Sequence, residues 1–152
     1  MSRILFLLIS LMGCSGTWSD KQIQPIPQIN RIISDDYLRS HYLWMGMTSS
    51  ADIENLYGIT VDRIEFEVAI DQQSRINYIQ TDSKYFVTTE GVSIKSLFQQ
   101  VQKINIKIVH YPGWCSYVPL PSGWNAVFII GDNLTEPRPN DTTKVIFFFR
   151  KS

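Results

Sequence analysis

The segment RIEFEVAI (Arg63–Ile70) decides how the rest of the chain is read. Ile64, Phe66, Val68 and Ile70 alternate with Glu65, Glu67 and Ala69. Period two is the pattern of a strand, because successive side chains leave its backbone on opposite sides. One face is apolar and the other mostly charged, as in an antiparallel sheet with one wet face. Asp71-Gln72-Gln73-Ser74 supplies turn residues. Arg75–Gln80 and Tyr85–Thr89 then read as two further strands of a meander.

Downstream of Gly91 the period changes. Ile94, Leu97, Phe98 and Val101 fall at i, i+3, i+4 and i+7, a helical stripe. Ser96-Leu97-Phe98-Gln99 has capping-box form, and Ser93 is an alternative cap. Ile104, Ile106 and Ile108 alternate with Asn105 and Lys107, giving a fourth strand. Trp124–Ile130 and Val145–Phe149 make two more. The last is apolar on both faces, which places it in the middle of the sheet. Between them, Gly131–Thr143 is polar, contains Pro137 and Pro139, and reads as an exposed loop.

Upstream, Asp35 and Asp36 precede Tyr37-Leu38 and Tyr42-Leu43, the form of a short capped helix. MGMTSSADIENLYG (Met45–Gly58) reads as a second helix. Ser49 or Ser50 caps it, and Asp52 and Glu54 sit near its positive end. Ile53, Leu56 and Tyr57 recur at helical spacing, and Gly58 is placed for a left-handed cap. The expected fold is α+β: one antiparallel sheet of five or six strands with two or three short helices packed on one face.

A chain of 152 residues, 44% hydrophobic, can build one packed core without staples. Formal net charge is zero, and it becomes −1 if Arg3 leaves with the first 13 residues. Such a balance supplies no basic field for nucleic acid or anionic lipid, so no nucleic-acid partner is expected.

The amino terminus, MSRILFLLISLMGCSG, has an apolar run from Ile4 to Met12 behind Arg3. That run is about half the roughly 20 residues needed to span a bilayer, and it fits the apolar region of a secretory signal. Leu11-Met12-Gly13-Cys14 resembles the lipobox of bacterial lipoproteins. The resemblance implies diacylglycerol on the Cys14 thiol, cleavage before Cys14 and usually a further acyl chain on the new amino group. Two or three chains hold a protein stably at a membrane, whereas one does so only marginally. Ser15, where an Asp would mark retention at the inner membrane, favours the outer membrane by the same resemblance. The expected organisation is a signal peptide over 1–13, lipidated Cys14 with a flexible tether over 14–30, and one globular domain over 31–152. Pro25 and Pro27 favour extended geometry in the tether. No specific family is identified for the folded domain. The chain is expected in the cell envelope, lipid-anchored and facing the periplasm.

Catalytic candidates are few. His110 and Cys115 lie close together in HYPGWCSY, and a thiolate paired with imidazole is a nucleophile. A buried structural thiol beside a strand-end histidine is the favoured alternative, since no third group accompanies the pair. Only His41 and His110 are present, without repeated Cys/His spacing, so no metal or cofactor is expected. Glu65 and Glu67 share a strand face and read as solvated; nothing selects a pair of acids for hydrolysis.

HYPGWCSYVPLPSGW intersperses Tyr111, Trp114, Tyr117 and Trp124 with three prolines. Rigid aromatics give contact area at low entropic cost, so these four are the candidate partner-binding residues. A lid folded over one end of the sheet is the equal alternative. The leading functional expectation is a non-enzymatic binding module for an envelope or effector protein, one version being an immunity or inhibitor protein. The alternative is a small envelope hydrolase using Cys115 and His110 or an acid pair.

Overall fold

The computed structural model of the chain describes residues 26–48, 52–111, 115–128 and 138–152. The expected signal peptide, Cys14, the tether as far as residue 25, and Trp114 lie outside the described residues. The elements, in chain order, are α1 (Asp35–His41), β1 (Tyr42–Met47), β2 (Ile53–Val61), β3 (Ile64–Ile70) and β4 (Ile76–Thr81). They continue with α2 (Phe98–Gln102), β5 (Val109–Tyr111), β6 (Cys115–Pro119), β7 (Asn125–Phe128) and β8 (Phe147–Lys151). The strands form one eight-stranded sheet in the order β1-β2-β3-β4-β8-β7-β6-β5. Every neighbouring pair is antiparallel.

This architecture corrects the α+β expectation. Among the described residues the sheet has eight strands rather than five or six, and the two helices are only seven and five residues long. The described fold is β-rich, without a layer of helices on one face. The largest misreading is Met45–Gly58, expected as a helix. Ile53, Leu56 and Tyr57 satisfy helical spacing, but Tyr57, Ile59 and Val61 also alternate, and β2 is what forms. A short window fits both periods, and pairing with β1 on one side and β3 on the other decides between them. Gly58 is no helix cap: it sits mid-strand, where an added Cβ would press on Leu43 at 3.1 Å.

The expected strands at Tyr85–Thr89 and Ile104–Ile108 are irregular. The aromatic stretch 110–124, expected as a loop, supplies β6 and part of β5 instead.

Two turns account for the meander. Asp62 (φ 48°) and Arg63 (φ 69°) both occupy the left-handed region, and Val61 pairs with Ile64 across them. Two positive φ values in a two-residue loop match the right-handed twist of the flanking strands. Arg63 is therefore in the turn, not in the strand. After β3, the Asp71 carboxylate accepts from the amides of Gln73 and Arg75, each at 2.9 Å, and from Arg75 Nε at 2.9 Å. The Arg75 amide, ahead of its guanidinium, holds the Asp71 carboxyl below its ordinary range.

The core has two parts, one on each face of the sheet. Phe66, Val68, Ile76, Ile79, Val118, Ala126, Phe128 and Phe148 fill the first face. The connecting segment between β4 and β5 covers it with Phe86, Val92, Phe98 and Val101. Ile29, Ile33 and Tyr37 add to the same cluster from the amino-terminal side. On the second face lie Leu56, Ala69, Tyr78, Cys115, Tyr117, Val127 and Phe149. Among the described residues, all members of this second cluster come from the strands or from Ile146.

A register shift between Ala69 and Ile70 helps to populate both faces from β4: Ile76 and Ile79 join the first cluster, and Tyr78 joins the second. β8 lies between β4 and β7, as its two-faced apolar pattern predicts. Phe148 and Phe149 are both fully buried, on opposite sides.

Candidate functional site

The second face carries an open groove of about 570 Å³. β3 contributes Glu65 and Glu67, β2 contributes Gly58 and Thr60, and β4 contributes Gln80 and Thr81. Asp82 follows β4 at the rim. Leu43 and Met47 of β1 and Ile146 and Phe147 at the start of β8 supply apolar walls. The strand period places Glu65 and Glu67 on the same side, and the β2–β3 register sets Thr60 opposite Glu65.

The floor is organised by hydrogen bonds. Tyr78 Oη donates to Gln80 Oε1 at 2.8 Å, and Gln80 Nε2 donates to Glu67 Oε2 at 2.5 Å. Gln80 thus has its amide oriented at both ends, and Glu67 is held in place by a buried tyrosine through a neutral bridge. Thr81 Oγ1 donates to the Glu65 carbonyl at 2.6 Å, pinning β4 to the far end of β3. The groove residues include three carboxylates and no Lys, Arg or His. Among the described residues none of those carboxylates has an ion-pair partner. The groove is therefore an acidic, partly apolar surface open to a cationic group.

The four aromatic residues singled out from the sequence do not form one surface. Tyr111 is half-buried on β5 and stacks on Tyr117 with centroids 6.3 Å apart, while Lys151 Nζ lies 5.8 Å from its ring centre. Tyr117 is buried and meets Phe149 edge-on at 5.0 Å. Burial pushes its hydroxyl pKa up, and Tyr111 and Cys115 add to the effect. Trp124 lies in the cluster of the opposite face, 5% exposed, against Phe86 at 4.8 Å and under the Arg150 guanidinium at 4.9 Å. Trp114 is outside the described residues.

Trp124 closes a turn that Glu90 clamps. Glu90 accepts from the Ser122 amide at 2.5 Å and from Ser122 Oγ at 2.9 Å, and Arg150 Nη2 donates to the Ser122 carbonyl. Burial alone would raise the Glu90 carboxyl. Bonds from Thr88 and from Ser122 outweigh it and leave the carboxyl below its ordinary value. Gly123 (φ 84°) completes this turn in a region that only glycine enters freely.

Cys115 and His110 are not brought together. Cys115 belongs to the second cluster, 3% exposed, and burial pushes its thiol up to about 11. A thiol of that pKa is almost wholly protonated at neutral pH and a poor nucleophile. His110 sits opposite Ser116 in the β5–β6 ladder, one position out of phase with the Tyr111–Cys115 pair. Its Nδ1 lies 2.9 Å from Ser116 Oγ. That contact resembles half of a hydrolytic dyad, but Ser116 is fully buried and out of reach of a substrate. Among the described residues, no three His, Cys, Asp or Glu side chains converge to hold a metal, and no helix is long and apolar enough to cross a membrane.

Two features escaped the sequence reading: the groove, and the exposure of β1. The Glu65/Glu67 spacing was visible, but not that Thr60, Gln80 and the β1 side chains would wall it. In β1, YLWMGM has neither a charge nor a helical stripe, the one local sign that it is not part of a helix.

No protein-family model matches the chain, and no curated protein matches it. A solved structure, that of the uncharacterized protein yfeY from Escherichia coli, is similar to it. The identity is 13%, the TM-score 0.50, and the similarity covers 83% of this chain and 97% of that one. At that identity the likeness concerns the fold alone.

Proposed function

We propose that this chain is a lipid-anchored lipoprotein of the bacterial envelope that works as a non-enzymatic binding module. Its groove receives a cationic, partly apolar segment of an envelope or effector protein. One observation carries the reading: an open groove with Glu65, Glu67 and Asp82 along it, apolar walls, and no cation of its own. Cationic and apolar groups on a partner would meet complementary surface there. The lipobox Leu11-Met12-Gly13-Cys14 supports the anchor and the periplasm-facing location, with the outer membrane favoured by Ser15. The separation of Cys115 from His110 and the burial of Ser116 favour binding over hydrolysis. An inhibitor or immunity protein, which needs only a rigid complementary surface, is one form such a module takes.

Site-specific photo-crosslinking tests the groove. A crosslinker at Thr60 should give a discrete adduct in intact envelopes, and one at exposed Lys103, outside the groove, should not. Glu67→Lys should abolish the adduct by placing like charge against the partner. Adducts that are absent, or equal at both positions, refute the reading. The anchor is tested separately by mass spectrometry of the mature amino terminus, where an unmodified Cys14 removes the lipoprotein assignment.

A further inference from the structure

Among the described residues β1 is an edge strand, hydrogen-bonded to β2 on one side and open on the other. An open edge is a template for another strand, and proteins usually guard it with charge, proline, brevity or a bulge. The far edge, β5, is three residues long and carries His110. β1 runs for six residues, YLWMGM, without a charge or a proline. Its one guard is a register shift between Tyr42 and Trp44, which leaves Trp44–Met47 in regular pairing with β2.

The side chains are as open as the backbone. Tyr42, Leu43, Trp44, Met45 and Met47 are 50%, 51%, 51%, 64% and 53% exposed. These five expose roughly 500–600 Å² together, so two such strands offer at most about 1,000–1,200 Å² to cover, around the smallest area of a specific interface. We propose that β1 pairs with β1 of a second copy of this chain, antiparallel about a two-fold axis near Trp44 and Met45, making one continuous sheet across the dimer. A two-fold pairing needs a self-complementary strand, and one without charge sets no like charges opposite each other.

The flanks select the antiparallel sense. The last turn of α1, next to β1, carries Arg39 and His41, with Asp35 and Asp36 one turn further back; Asp52 follows β1, and Glu54 stands opposite Gly46 at the hairpin end. Antiparallel pairing brings the basic end of one copy beside the acidic end of the other, whereas parallel pairing sets like ends together. Leu43 and Met47 also wall the groove, whereas Trp44 and Met45 do not, so substitutions at Trp44 and Met45 probe the edge apart from the groove.

The test is sedimentation equilibrium of the purified full chain in density-matched detergent. The wild type should sediment as a dimer. Met45→Lys and Trp44→Lys should each weaken association at least about tenfold, whereas Ile106→Lys, at a position 84% exposed and away from β1, should change nothing. All three variants keep the same anchor, so a difference between them reports the edge and not the micelle. In intact envelopes, Met45→Cys should yield a disulfide-linked dimer and Ile106→Cys should not. A wild-type monomer, or a dimer indifferent to both lysines, overturns the proposal. Crosslinking of Met45→Cys only to a different protein also overturns it and assigns the edge to a foreign strand. Loss of the groove adduct with the dimer intact would refute the binding reading alone.

Discussion

Trp124→Ala separates a residue that builds the core from one that recognises a partner. Trp124 is 5% exposed and packs on Phe86 at 4.8 Å and Phe66 at 6.4 Å, beneath Arg150 at 4.9 Å. Truncating a buried aromatic costs roughly 3–5 kcal/mol, through lost transfer free energy and the cavity left behind. The indole also touches two rings and a guanidinium, contacts worth about 0.5–1.5 kcal/mol each that overlap with that figure. The expected loss is about 4 kcal/mol, a large share of the roughly 5–15 kcal/mol available to a domain. Trp124→Phe keeps most of the volume and should lose only about 1–2 kcal/mol. Urea unfolding followed by far-UV circular dichroism measures both, with an unchanged slope expected for a change in stability alone. A loss below about 1 kcal/mol for Trp124→Ala, together with loss of the groove adduct, would refute the burial argument and return Trp124 to the partner-binding set.

Three further outcomes follow from the packing. Glu90 has a folded-state pKa below its ordinary value, so its contribution is fully present above about pH 4.3 and is lost as pH falls through the lower folded value. Acid titration of the unfolding midpoint should therefore be shallower in Glu90→Gln than in wild type; equal profiles would remove the clamp on Ser122. Cys115 should resist iodoacetamide at about pH 8 in the folded chain and react quickly in urea, as peptide mass spectrometry resolves; fast labelling of the folded chain would contradict its burial. Gly46→Ala should destabilise by roughly 1–3 kcal/mol, because the added Cβ runs into the fully buried Leu56 side chain; a neutral result in urea unfolding would show that β1 and β2 are not packed as described.

Local pattern sufficed wherever one period stood alone. Ile64–Ile70 could only be a strand, and Asp71 with Arg75 carried its own turn. Val145–Phe149, apolar on both sides, pointed to a strand inside the sheet, although the strand that forms there, β8, begins at Phe147 and runs on to Lys151. The α2 stripe at Ile94–Val101 was legible too, though only Phe98–Gln102 is helical. Ser34, which accepts from the Tyr37 amide at 3.4 Å, caps α1 ahead of the two aspartates.

Pairing decided the rest. Ile53–Val61 fits two periods, and the free energy that selects the strand comes from its pairing with β1 and β3. Tyr117 and Trp124 are both aromatic residues in one proline-rich stretch. Strand parity and the turn at Leu120–Trp124 send them to opposite faces of the sheet. Glu65 and Glu67 were legible as a charged face. They become part of a groove only because Thr60, Gln80, Leu43 and Phe147 arrive from other strands. Adjacent residues were enough for the strand at Ile64–Ile70, for the turn that follows it and for a last strand inside the sheet. Only the tertiary structure decided the strand count, the open edge at β1 and the composition of the groove, because those depend on which distant segments share hydrogen bonds.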